Sequence, residues 1–141
     1  MTSMASGLAA LERQVARERD LLAYPAAPWV APMTGPDGTP VLDCAVIGAG
    51  QFGLAVGGFL KRKRVANFRI FDAAAPGRES PWVTFGRMAI LRTPKDLSGP
   101  ELGLPSLSFR AFWEAQHGAE GWARMSRVPR SAWMDYLNWF H

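Results

Sequence analysis

Apolar residues recur at helical spacing between positions 6 and 23, where Leu8, Leu11, Val15 and Leu22 are separated by Glu12, Arg13, Arg17, Glu18, Arg19 and Asp20. That pattern predicts a short amphipathic helix. It then breaks. Residues 25–40 hold five prolines and two glycines, which excludes a helix and disfavours a central strand, so the stretch reads as a linker or a strap over the surface. Asp43-Cys-Ala-Val-Ile47 is a short apolar run left through Gly48, and it reads as a buried strand. Residues 51–64 are small and apolar and end in Lys61-Arg-Lys-Arg64, a helix whose terminal cations suit the negative end of its dipole. Phe68-Arg-Ile-Phe71 is a second strand. Strand, glycine-rich turn, helix and strand in that order predict a parallel βαβ unit.

Past Asp72 the pattern loosens through Pro76, Gly77, Pro81, Pro94, Gly99, Pro100, Gly103 and Pro105. Two helices are expected beyond it. Ser108 is placed to cap one that runs to about His117, and Ser131 one that carries Trp133, Leu137 and Phe140 on one side. Phe109, Phe112, Trp113, Trp122, Trp133, Tyr136, Trp139 and Phe140 read as the packing surface of these helices, because base stacking calls for Lys or Arg interleaved along a groove. His117 reads as a solvated residue near a helix end, and Cys44 as buried and inert. The fold class is α/β: a Rossmann-like βαβ unit followed by helices. Residues 1–42 are read as an N-terminal helix and Pro-rich linker, and residues 43–141 as a partial Rossmann-like domain.

Composition narrows the classes. With 48% apolar and 20% charged residues, the 141-residue chain is built to bury a core rather than to stay disordered. One cysteine makes neither an intrachain disulfide nor a cysteine-rich zinc site, no metal site is expected, and the start resembles neither a signal nor a transit peptide. A cytoplasmic location follows as the expectation. The formal charge of +4 hides a local excess, since Lys61, Arg62, Lys63, Arg64 and Arg69 alone supply +5 and the remainder sums to −1. A duplex-binding face spreads its cations along several elements, so no nucleic-acid partner is expected.

The chemistry lies in Gly48-Ala-Gly50-Gln51-Phe52-Gly53. A lone GxGxxG is a weak signal; this one follows a predicted strand, opens a predicted helix and precedes Asp72, at the end of the next strand, by nineteen residues. Gly48 permits the turn, Gly50 lets backbone approach a pyrophosphate, Gly53 lets helix and strand lie close, and the helix N-terminus offers unpaired N–H groups to phosphate. Asp72 would accept hydrogen bonds from a ribose 2′-OH and repel a 2′-phosphate. The competing reading is a membrane span over Cys44–Leu60, with Gly53-x-x-x-Gly57 and a basic flank. Seventeen residues are at the bottom of the spanning range, and five of them are glycine, so no membrane partner is expected.

These residues carry a resemblance. Val46-Ile-Gly-Ala-Gly-Gln-Phe-Gly-Leu54 with Asp72 resembles the FAD site of flavin-dependent, NAD(P)H-using monooxygenases. Trp82, Leu91-Arg-Thr-Pro-Lys-Asp-Leu97, Pro105-Ser-Leu-Ser-Phe109 and the run Val128–Trp139 resemble the lysine and ornithine N-hydroxylase branch. The resemblance implies that Gly48, Gly50, Gln51, Phe52, Gly53 and Asp72 hold the ADP half of FAD, that Trp82 lies near the flavin, and that Lys95 contacts substrate or flavin. Taken alone, Trp82 reads as a packing or turn tryptophan and Lys95 as an ordinary surface lysine. Five residues before Lys95 the branch has a glutamine where this chain has Ile90, which favours the looser label of monooxygenase-like oxidoreductase.

The resemblance implies FAD as cofactor, NAD(P)H as co-substrate with its site outside this chain, and a small-molecule substrate; oligomeric state is left open. With one GxGxxG, no third clear parallel strand and an end inside an apolar helix, the chain is expected to be the truncated N-terminal part of a longer flavoenzyme, inactive alone. A flavoprotein reductase of the two-dinucleotide type and a non-catalytic nucleotide-binding module are the alternatives.

Overall fold

The computed structural model describes residues 4–75 and 77–141; Pro76, one of the expected turn residues, lies outside them. By compactness the chain forms two units, Leu22–Thr84 and Met1–Leu21 with Phe85–His141.

In the first unit the proline-rich stretch is more than a strap. Strands β1 (Met33–Thr34) and β2 (Pro40–Val41) pair antiparallel around a turn in which Asp37 accepts hydrogen bonds from the Thr39 N–H and hydroxyl. Strand β3 (Cys44–Ile47) pairs in parallel with β4 (Phe68–Phe71), Cys44 opposite Phe68 and Ile47 opposite Phe71. Helix α2 (Gln51–Arg62) is the crossover between them. The predicted strand–helix–strand order is therefore present, with the second strand at its expected bounds.

Burial differs from expectation. Both strands alternate half-buried and exposed residues: Val46 and Ile70 face α2, whereas Ile47 stands 82% exposed on the other face. The expected fully buried strand is one-sided because α2 covers a single face of this two-stranded sheet. Cys44 is accordingly half-buried, not buried. The strap fastens the far end of the crossover: the Trp29 indole N–H donates to the Lys63 carbonyl at 2.8 Å, and Asn67 Nδ2 to the Val41 carbonyl at 2.7 Å.

The second unit is held by helix packing. Helix α1 (Met4–Leu21) lies against α3 (Phe109–Arg124) and buries Leu11. Glu18 on α1 accepts hydrogen bonds from the buried Ser106 hydroxyl and N–H, in a 3-10 turn spanning Pro105–Leu107. Ser108 caps α3 as read, its hydroxyl accepting from the Ala111 N–H at 3.2 Å. At Gly118 the backbone turns to φ +70°, which ends the first helical stretch where the sequence placed the end, and a further stretch runs on to Arg124.

Helix α4 (Arg130–Phe140) starts at Pro129, and Ser131 sits inside it rather than capping it. The reason is a pairing that the sequence did not announce. Ile90 and Pro129 form an antiparallel bridge, and the Arg130 N–H, an orphan donor of the first helical turn, is satisfied by the Ala89 carbonyl. The core is aromatic, as expected: Phe109 has ring contacts with Phe112, Trp113, Trp122, Trp133 and Tyr136 at centroid separations of 5.5–6.4 Å. Tyr136 is fully buried, its hydroxyl donates to the Leu107 carbonyl at 2.8 Å, and burial pushes its pKa well up. His117 is exposed, with its ring 4.0 Å from that of Trp113.

Candidate functional site

Strand β3 continues its ladder one residue into the glycine turn, the Gly48 N–H donating to the Phe71 carbonyl at 2.7 Å. Gly48 then adopts φ +99°, a conformation that residues with a Cβ rarely take, and the chain reverses into α2. Gly53 is required for a different reason. A Cβ built on it would lie 1.8 Å from the Gly48 carbonyl oxygen, so the helix reaches the strand this closely only with hydrogen there. Gly50 has neither constraint: its φ is −69°, and a Cβ would meet the Glu79 carbonyl at an ordinary 3.6 Å.

That contrast tests whether the turn suits a dinucleotide. Nothing within the fold requires glycine at position 50, and a Cβ at Gly48 would meet nothing within 4 Å, so open space adjoins the turn. Helix α2 begins there without a side-chain cap and without an acid in its first turn. Its leading N–H groups are left to bind an anion, and the residues present fit a pyrophosphate.

Asp72 closes the arrangement from β4. Its Oδ2 accepts from the Ala49 N–H at 2.7 Å and its Oδ1 from the Ala74 N–H at 2.8 Å. The Ala49 hydrogen bond first, and the Ala74 bond second, hold this exposed carboxyl below the usual 3.8. Each carboxylate oxygen has a second lone pair, so both remain available to hydroxyl donors. The sequence reading gave Asp72 a ligand and missed its grip on the glycine turn; a carboxylate at the end of the adjacent parallel strand is the signal that it stands opposite the residue after Gly48.

Gly48, Gly50, Gln51, Gly53 and Asp72 thus come together at the carboxyl ends of β3 and β4. Phe52 is 81% exposed and faces away from the sheet. Trp82 is half-buried in a tight turn, its backbone N–H donating to the hydroxyl of buried Ser80 at 3.3 Å. Lys95 belongs to the other unit. Its ammonium donates to the Trp122 carbonyl at 2.8 Å, near the end of α3, and lies 4.6 Å from the centre of the Trp122 ring. Ile90, at the position where the N-hydroxylases have glutamine, is in the bridge to Pro129.

Residues 45–141, from the middle of β3 through α4, match the family described as FAD-NAD(P)-binding. The chain belongs to that FAD-NAD(P)-binding family. Over 133 residues it is 48% identical to the FAD-dependent urate hydroxylase of Xanthomonas campestris pv. campestris, an alignment that covers 94% of this chain and 28% of the relative. The chain therefore spans little more than a quarter of that protein's length. No solved structure matches. The findings support a flavin monooxygenase-type family and correct the branch: the relative is a urate hydroxylase, not a lysine or ornithine N-hydroxylase. Among the described residues no helix is long and apolar enough to cross a membrane, and Cys44–Leu60 divides into strand, turn and helix.

Proposed function

We propose that this chain is the FAD-binding part of an FAD-dependent, NAD(P)H-using hydroxylase acting on a small, oxidisable nitrogen heterocycle of the urate type. The observation that carries the FAD site is Gly50, a glycine free of internal constraint between two that the fold itself needs. That the relative is an FAD-dependent urate hydroxylase supports the flavin and the substrate class.

In this reading the turn at Gly48, Gly50, Gln51 and Gly53 presents backbone to the pyrophosphate, Asp72 accepts from the adenosine ribose while tethering Ala49, and Phe52 and Trp82 flank the cofactor. When bound, FAD supplies the redox and oxygen chemistry. This chain's task is to fix its adenosine end and to exclude water from the phosphates.

Flavin-fluorescence titration tests the assignment. Gly50→Val places a branched side chain where the pyrophosphate approaches, its Cβ at an ordinary 3.6 Å from the Glu79 carbonyl, so FAD binding is expected to fall by about a hundredfold or more, with a much smaller change in melting. Unchanged binding in that variant refutes the site.

A further inference from the structure

The glycine turn lies at the N-terminus of α2, and the other end of the same helix carries a charge that the turn does not explain. About 18 Å away, at 1.5 Å per residue, α2 ends in Lys61-Arg62 and the chain runs on into Lys63-Arg64. From Cys44 to Phe71 the sequence has no Asp or Glu, and among the described residues no carboxylate lies within ion-pair distance of Lys61, Lys63 or Arg64. Arg69 is not part of this end. It alternates on β4 with Ile70, which faces α2, and so projects from the face of the sheet that α2 leaves bare.

The helix dipole accounts for cations in the last turn but not for Arg64. The Val65 N–H donates to the Leu60 carbonyl at 3.0 Å and the Arg64 N–H to the Lys61 carbonyl at 3.1 Å, which closes α2 in a Schellman motif with Arg64 in its left-handed position, φ +58°. Glycine is favoured there, because a Cβ strains the backbone. An exposed arginine stands in its place.

Apolar side chains are exposed beside these cations. Phe59, two residues past the Gly57 that meets the sheet, lies on the outer side of α2, 49% exposed, with the Lys63 ammonium 5.7 Å from the centre of its ring. Trp29 is fastened to the same end by its indole N–H on the Lys63 carbonyl, and is still 64% exposed. That bond satisfies the one polar group of the ring and leaves its apolar body outward. Met33 and Val41, opposed on the β1–β2 ribbon, are exposed as well, and Asn67 ties Val41 to the chain three residues beyond Arg64.

We propose that this end of α2 is a docking surface for an anionic lipid bilayer, with Lys61, Lys63 and Arg64 against the headgroups and Phe59 and Trp29 in the boundary between headgroups and acyl chains. Cations beside exposed aromatic rings suit such a surface, the charge drawing acidic headgroups and the rings entering the interface. A nucleic acid would use the charge but calls for cations repeated along a groove, and here they are confined to four consecutive residues. The contact is peripheral: Cys44–Leu60 divides into strand, turn and helix, and no described helix is long and apolar enough to cross a membrane. It leaves the glycine turn free at the far end of α2 and does not depend on which nucleotide binds there.

Sedimentation of the full chain with vesicles of phosphatidylcholine alone, and of phosphatidylcholine and phosphatidylglycerol in equal parts, tests this. Binding is expected to the anionic vesicles and not to the neutral ones, and should weaken as salt is raised. Lys61→Gln/Lys63→Gln should lower it about twentyfold, at about fivefold per cation. Arg13→Gln/Arg17→Gln, which removes the same net charge from α1, should leave it nearly unchanged. Phe59→Ala keeps every charge and suits a helix, and should weaken binding about fivefold through lost apolar contact. Arg64→Gly should move two properties in opposite directions, raising the melting temperature by relieving the backbone while weakening vesicle binding, so its loss of binding is not a loss of fold. Equal or absent binding to the two kinds of vesicle, equal effects of the two glutamine pairs, or binding indifferent to Phe59→Ala and displaced by a DNA duplex would each overturn the proposal.

Discussion

The two units of this protein are specified in different currencies. In Leu22–Thr84 the decisive atoms are backbone: a positive φ at Gly48, a carbonyl that forbids a Cβ at Gly53, and two main-chain N–H groups on Asp72. In the unit containing α1, α3 and α4 they are side chains, a network of rings centred on Phe109 with Tyr136 sealed beneath it. The open glycine turn keeps side chains out of the way, whereas the aromatic core fills the space with them. Substitutions should therefore separate the two by what they damage.

The largest effect is expected from Phe109→Ala, which removes the hub of the aromatic core and should cost about 3–5 kcal/mol in denaturant unfolding followed by tryptophan fluorescence. A loss below about 1 kcal/mol would break the picture of a side-chain core. Next is Gly53→Ala, whose methyl group would collide with the Gly48 carbonyl. Helix and strand must part, costing about 1–3 kcal/mol and FAD binding together. Wild-type stability with loss of FAD binding alone would assign Gly53 to the ligand rather than to the fold.

Asp72→Asn comes third. The amide keeps one acceptor oxygen and loses the charge, so the tether on Ala49 weakens and FAD affinity should drop about tenfold. The pH dependence has a definite sign. Because the folded-state value lies below 3.8, the contribution of Asp72 is fully present above that pH and is lost as the pH falls through the lower, folded value. Melting curves taken from pH 5 downward should show the extra acid loss in the wild type and not in Asp72→Asn. The smallest effect is that of Lys95→Met. Removing the cation at the end of α3 and over the Trp122 ring should cost about 0.5–1 kcal/mol of stability and leave FAD affinity unchanged; a shift in flavin affinity would mark Lys95 as a flavin contact.

The backbone-specified unit was the more legible in sequence. Glycine spacing, the apolar runs beside it and Asp72 are local signals, and they place β3, α2 and β4 almost to the residue. Ser108 was legible for the same reason, since a cap acts within its own turn. What stayed hidden depends on partners far along the chain. Ser131 looks like a cap until Ala89 is known to satisfy the Arg130 N–H. Lys95 looks free until Trp122, twenty-seven residues on, takes its ammonium. At Gly7 a Cβ would lie 1.8 Å from the Ala115 carbonyl oxygen, which makes it the point where α1 and α3 touch backbone to backbone.

That crossing bears on where this protein can be cut. The family match begins at residue 45, and a piece excised at that position would discard α1. Ser106 would lose the carboxylate that accepts from its hydroxyl, and the strip of α3 at Ala115 would open to water. The recurring portion of the family and the smallest portion able to stand folded are then different lengths of chain, and expression trials that follow the shorter boundary should yield protein that aggregates where the longer one stays in solution.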